Sequence, residues 1–287
     1  MPEGHRFPMD KYELIPQQLL HEGLVVEENF FHPKQLTKEE ILLTHTEEYY
    51  DQLHQLPLPR KVERAIGFPV REDLIERGKY IAHGTLECAY HAMKSGVSLN
   101  IAGGTHHAFA DRGEGFCIFN DFAIAANILL ERREVDQILI IDLDVHQGNG
   151  TAKIFENDSR VFTLSVHGEK NYPLRKEKSD LDIELPDGCE DDLYLNTLTA
   201  NLPQIIDTVK PDLIFYLSGV DVLSVDKLGR LGLSIEGCKQ RDLYLFAEAS
   251  QRKIPVAVSM GGGYAVKISD IIEAHANTFR AAFDIYT

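Results

Sequence analysis

Tryptophan is absent from this 287-residue chain, and cysteine occurs only four times. Cations are in deficit: 29 Lys and Arg stand against 45 Asp and Glu, a formal net charge of −16. The missing tryptophan excludes nothing. The cysteines, Cys88, Cys117, Cys189 and Cys238, lie far apart and form no CxxC pair. They read as reduced, mostly buried thiols of a cytoplasmic protein. The cation deficit argues against a nucleic-acid partner, which calls for a basic patch. It suits either solubility alone or a lysine-rich protein surface attracted over long range. No apolar run reaches membrane-spanning length, and the polar start MPEGHRFPMDKY shows no signal peptide, so no membrane partner is expected. No internal repeat or low-complexity tract is present.

What the chain has is 44% hydrophobic residues, enough for one large core. Its most informative stretch is Ile141-Asp142-Leu143-Asp144-Val145-His146-Gln147-Gly148-Asn149-Gly150, directly after the apolar Gln137–Ile140. If 137–141 is a buried strand, a period of two continued through 146 puts Asp142, Asp144 and His146 on one face. Two carboxylates and an imidazole there are costly unless compensated. A divalent metal such as zinc is the usual compensation, and an exposed Asp/Gly loop is the alternative.

Five non-alternating apolar runs, 97–101, 137–141, 160–166, 212–217 and 254–260, read as strands buried on both faces, as in a parallel sheet. Between them lies helical periodicity. In 71–95, Leu74, Gly78, Ile81, Thr85, Ala89 and Met93 recur every three or four residues. Helices are also expected over 121–133, 190–210, 237–253 and 268–283, with Pro203 kinking or splitting the second of these. Alternating β and α predicts a single α/β domain spanning 1–287 with a central parallel β-sheet. The proline-rich 56–69 reads as a surface loop.

Each expected strand runs into polar residues: Gly103-Gly104-Thr105-His106-His107, the Asp/His run, His167-Gly168, Ser218-Gly219-Val220-Asp221, and Gly261-Gly262-Gly263-Tyr264. Ligands of open α/β sheets bind beyond the carboxyl ends of strands. His106, His107, Asp144, His146, Asp221 and Tyr264 are therefore candidates for one site.

Six ordered segments, GGTHHA (103–108), GFCIFND (115–121), DLDVHQGNG (142–150), LSVH (164–167), SGVD (218–221) and GGGY (261–264), resemble the histone deacetylase family of zinc-dependent acyl-lysine hydrolases. The resemblance covers nearly the whole chain and implies the arginase/deacetylase-like fold. It makes Asp144, His146 and Asp221 the metal ligands, with a position left open for water and the substrate carbonyl. Zinc is implied, and the ligand set also accepts iron(II). His107 matches the general base. His106, supported by Asp142, matches the histidine that stabilises charge and protonates the leaving amine. Tyr264 matches the donor to the oxyanion, with a flexible glycine run before it. Gly115, Phe116, Tyr172, Leu228 and Gly262 fall where the family lines its substrate tunnel. Carbonyls around Asp142, Asp144, His146, Ser165 and Val166 match a structural potassium site. The implied substrate is an acylated lysine in a protein or a small acylated amine; oligomeric state is not legible.

Departures refine this. Asn149 stands where many members carry Asp beside the general base, so Asn149→Asp is expected to change the pH–rate profile. The segment 221–229, DVLSVDKLG, resembles the class IV branch and its bacterial relatives, which brings long fatty-acyl lysine in beside acetyl-lysine. Leu228 replaces the Glu gatekeeper of acetylpolyamine deacetylases. The short strand that usually precedes the HRFPMDKY-like segment is expected to be missing or trimmed. A two-manganese ureohydrolase of related fold would need acids where Gly148 and Leu223 stand. A non-catalytic acyl-lysine reader would have no use for the complete set of reactive residues.

Overall fold

Short Val-, Ile- and Leu-rich segments without polar alternation are stable only between two apolar layers. In the computed structural model, which describes residues 7–287, they form one sheet: β1 Val97–Asn100, β2 Ile138–Asp142, β3 Val161–Gly168, β4 Leu181–Leu185, β5 Leu213–Leu217 and β6 Val256–Ser259. The strands lie in the order β1-β6-β5-β2-β3-β4, every pair parallel. The helices are α1 Lys11–His21, α2 Lys38–Leu42, α3 Glu47–Leu53, α4 Arg60–Ile66, α5 Glu72–Ser95, α6 Asp121–Glu131, α7 Asn149–Phe155, α8 Asp191–Val209, α9 Ile235–Gln251 and α10 Ile268–Tyr286.

Alternate residues of the central strands feed two cores. Ile138, Ile140, Leu213 and Phe215 pack with α5 and α6, where the Phe122 and Phe215 rings lie 5.1 Å apart. Leu139, Ile141, Ile214 and Tyr216 pack with α8, α9 and α10. The result is a single α/β domain with helices on both faces of the sheet.

From β2 the chain builds outward through β3 to β4. Then α8 carries it back to β5 on the other side of β2. The strand order therefore reverses between β2 and β5, and such a switch point opens a crevice beyond the strand ends.

Several expectations are corrected. Residues 56–69 are not simply a surface loop: Pro59 caps α4, where its missing N–H costs nothing, and Leu58, Ile66 and Phe68 are buried. Pro203 does not divide α8, which runs through it. Strand β4 was not expected, because Leu181-Asp182-Ile183-Glu184-Leu185 alternates and sits at the sheet edge. The N-terminal strand expected to be missing or trimmed would fall before Phe7, outside the described residues. No helix among the described residues is long and apolar enough to cross a membrane.

Candidate metal centre

Strand periodicity does not align Asp142, Asp144 and His146 as expected, because β2 stops at Asp142. Local turns do the work instead. The Asp144 N–H donates to Asp142 Oδ1 at 3.1 Å, and the His146 N–H donates to Asp144 Oδ1 at 2.9 Å. Asp221 arrives from the end of β5, across the crevice, and accepts the Val145 N–H on Oδ1 at 3.0 Å. His146 Nδ1 then sits 3.0 Å from Asp144 Oδ1 and 3.2 Å from Asp221 Oδ2. One ligand atom from each of the three side chains lies within 4.8 Å of the others.

This cluster fits a cation. Asp221 Oδ2 is buried and, apart from the His146 ring nitrogen at 3.2 Å, has no polar partner among the described residues. Burial, and then the Asp144 charge, push the Asp221 carboxyl up to about 7. Two adjoining buried carboxylates with an oxygen so poorly partnered are costly without positive charge between them. Two oxygens and one imidazole nitrogen suit zinc and comparable divalent ions. The backbone is fitted to the acids: a Cβ at Gly262 would lie 2.0 Å from Asp221 Oδ2, and one at Gly219 2.4 Å from Asp144 Oδ2. The Gly262 N–H donates to Asp144 Oδ2 at 2.9 Å.

His106 and His107 must travel from β1 at the sheet edge to reach this crevice. Gly103 and Gly104 adopt φ of +79° and +75°, and a Cβ on Gly104 would come within 2.6 Å of the Gly261 backbone. Only glycine permits that path. Asp121 anchors it, accepting the Gly104 N–H at 3.1 Å, the Thr105 N–H at 2.7 Å and the Thr105 hydroxyl at 2.6 Å.

The histidine rings lie 4.1 Å apart yet face different partners. His106 Nδ1 donates to Asp142 Oδ2 at 2.6 Å, and His107 Nδ1 to Asn149 Oδ1 at 2.7 Å. Burial alone would lower His106, but the Asp142 carboxylate outweighs it and raises the ring to about 9. Burial and the neighbouring His106 and His146 hold His107 well below its ordinary value. One ring is held charged and the other neutral, so the pair offers one proton donor and one imidazole with a free nitrogen lone pair.

A cavity of about 640 Å³ opens onto these groups. Gly115, Phe116, Tyr172, Leu228, Gly262 and Tyr264 line it with His106, His107 and the three clustered ligands, so the expected tunnel residues are brought together. Gly115 (φ +54°) passes so close to His107 that a Cβ would lie 2.5 Å from the ring. The Tyr172 ring stands edge-on to His107, centroids 5.0 Å apart. Burial, then the Asp221 and Asp144 charges, raise the Tyr264 phenol well above its ordinary value, so it remains a donor. Ser165 and Val166 sit on β3, with Ser165 in register with Asp142; the Ser165 hydroxyl lies 2.9 Å from His167 Nδ1.

Four contributors escaped the sequence reading. Asp121 carries the incoming loop but reads as a helix cap. Asp226 accepts the N–H groups of Leu228 at 2.7 Å, Gly229 at 2.9 Å and Tyr264 at 2.6 Å, joining two cavity walls. Arg241, fully buried on α9, and Glu114, next to the 115–121 segment, give no local signal: the site loops and side chains they hold are remote in sequence.

A model of the histone deacetylase domain matches residues 5–279 of the chain. An uncharacterized protein of Picosynechococcus sp. is 42% identical over 286 residues, covering 100% of this chain and 95% of its own length. Histone deacetylase 2 of Arabidopsis thaliana is 30% identical over 282 residues, covering 94% of this chain and 73% of its own. The fold matches that of an HDAC homologue complexed with SAHA, with a TM-score of 0.85 at 24% identity, covering 99% of this chain and 80% of that one. It also matches an HDAC homologue from Aquifex aeolicus, with a TM-score of 0.84 at 24% identity, covering 98% and 80%.

Proposed function

The chain belongs to the histone deacetylase family and is a hydrolase of amide bonds; on that premise we propose that it removes an acyl group from the ε-amine of lysine in proteins. The observation that carries this reading is the Asp144–His146–Asp221 cluster, with a buried carboxylate oxygen that only the His146 ring meets, facing a cavity shared with two histidines of opposite protonation tendency.

In this reading Asp144, His146 and Asp221 hold zinc, with iron(II) the other ion the donor set accepts. The metal supplies Lewis acidity to the substrate carbonyl and lowers the cost of deprotonating water. His107, neutral and presenting Nε2, accepts the proton of the attacking water. His106, charged against Asp142, stabilises the developing negative charge and protonates the departing amine. Tyr264 donates to the carbonyl oxygen as it gains charge. Phe116 and Tyr172 grip the lysine methylenes beside Leu228. No serine or cysteine nucleophile is required. A potassium ion held by carbonyls around Asp142, Asp144, His146, Ser165 and Val166 would offset the buried acids further.

The reading extends to acyl groups longer than acetyl, on the support of the apolar lining. Besides the reactive groups it is lined by Ile66, Phe68, Leu74, Ile81 and Phe119, an apolar wall that an acetyl group does not need. The net charge of −16 suits a lysine-rich protein substrate. A small acylated amine is the alternative, which Leu228 in place of a gatekeeping acid does not favour. Four buried, unpaired cysteines suit the cytoplasm.

The test is amine release from acetyl-lysine and myristoyl-lysine peptides, with zinc and with a chelator. Chelator-sensitive turnover is expected, faster on the longer chain. No turnover on either peptide with zinc bound would overturn the lysine reading.

A further inference from the structure

Glu114 lies at the centre of an unassigned hydrogen-bond chain. His107 Nδ1 meets Asn149 Oδ1 at 2.7 Å, and Asn149 Nδ2 donates to Glu114 Oε1 at 3.0 Å. The Tyr172 hydroxyl donates to that same oxygen, and Arg112 Nε lies 3.5 Å from Glu114 Oε2. The Glu114 side chain is 20% exposed.

We propose that Glu114 is a positioning residue for His107 and acts through the Asn149 amide. The argument is one of donors and acceptors. An ionised carboxylate only accepts hydrogen bonds, whereas an amide presents an oxygen at one end and two N–H groups at the other. Glu114 therefore forces the NH2 end of Asn149 toward itself and the oxygen toward His107. Facing an oxygen, His107 Nδ1 must carry the proton, which leaves Nε2 with the lone pair the reaction uses. Without Glu114 the amide is free to turn over and offer N–H to Nδ1, which stabilises the unreactive tautomer. Asn149 is neutral, so the negative charge behind His107 lies one residue further out. The bond from the Tyr172 hydroxyl to Glu114 links that charge to the cavity wall.

The inference rests on the deacylase reading for its kinetic test but carries a second readout that does not. Steady-state constants on an acyl-lysine peptide are measured for Glu114→Ala, Asn149→Asp and the double variant Asn149→Asp/Glu114→Gln. In Glu114→Ala, kcat is expected to fall about 10–100-fold with KM changing far less, the usual scale for an outer partner of a reactive group. Asn149→Asp should lose a similar factor, because two carboxylates then face each other with no proton donor between them. Adding Glu114→Gln should restore at least about tenfold over Asn149→Asp, since the Gln NH2, standing where Glu114 Oε1 stood, has two N–H groups and donates to the new carboxylate at 149 and to the Tyr172 hydroxyl oxygen. A merely structural Glu114 predicts no such rescue. The ring-nitrogen NMR shifts of His107 should report a single Nδ1–H tautomer in the wild type and a mixture in Glu114→Ala. An unchanged tautomer in Glu114→Ala, or a double variant no better than Asn149→Asp, overturns the proposal. A wild type inactive on acylated amines sinks the deacylase reading alone, and the NMR result then decides the role of Glu114.

Discussion

Arg241 Nη1 donates to the Gly219 carbonyl at 2.7 Å, from a side chain with no solvent exposure. The same nitrogen reaches the Leu143 carbonyl at 3.1 Å, so one guanidinium ties the loop that bears Asp144 to the loop that bears Asp221. Its Nε pairs with Asp242 at 2.8 Å, and Asp242 is held in turn by the hydroxyls of Tyr216 and of Thr278, the latter at 2.7 Å. Arg241→Met leaves Asp242 without its cation and the two carbonyls without a donor. Removing one partner of such a buried pair costs about 3–5 kcal/mol. Metal affinity should also fall by about 10–100-fold, as for other groups that orient ligands. Thermal unfolding and competition with a chromophoric chelator measure the two effects separately. Lost stability with unchanged affinity would confine Arg241 to the core.

The ligand and base assignments separate by metal content. Asp144→Ala, His146→Ala and Asp221→Ala should each lose both bound metal and turnover. His107→Ala should retain metal, because its ring is not among the clustered ligands, and lose about 10²–10⁴-fold in kcat, the scale of a positioned base. Metal analysis of the purified variants beside their kinetics checks both. Substantial turnover in His107→Ala would remove it as the base.

Acyl-chain preference should reside at Gly78, which lines the cavity on α5. A Cβ there would meet the Phe119 ring at 3.0 Å, so Gly78→Leu directs its extra bulk against the apolar wall. Myristoyl-lysine turnover is expected to fall at least about tenfold more than acetyl-lysine turnover, since pocket discrimination of a few methylenes is worth that much. Equal losses on both peptides would mean that the wall does not hold the acyl chain.

The strand ends made much of the site legible. Buried strands that stop at Asp, His or Gly are visible in a linear sequence, and the sheet gathers them at the β2–β5 crevice. The six-segment resemblance supplied roles that spacing alone leaves open. What stayed hidden is what depends on tertiary contact. Asp121 offers the same local signal whether it caps a helix or anchors the loop from β1. Arg241 sits in a helix whose sequence gives no hint that a guanidinium ends beneath two loops 98 and 22 residues away. Residues 56–69 misled because proline marks both a loop and a helix start. Edge strand β4 alternates, unlike the buried strands that set the pattern.

Acid should destabilise the fold through His45. Its ring is buried, packs 5.4 Å from Phe119, and accepts the Asn120 N–H on Nε2 at 3.1 Å. Burial lowers its pKa from 6.5 to about 4. Between those values the unfolded chain binds a proton that the folded chain refuses, so stability is full above pH 6.5 and drains away as pH falls toward 4. A shift of that size corresponds to about 3 kcal/mol. Burial lowers His167 and His275 as well, whereas the raised Asp221 carboxyl gains stability over the same window, so the His45 contribution is read from a variant and not from the whole protein. His45→Gln keeps an acceptor for the Asn120 N–H but has nothing to titrate. Its denaturant-derived stability should therefore lie below wild type at neutral pH and fall less steeply through that window. Parallel wild-type and variant slopes would place the acid sensitivity elsewhere.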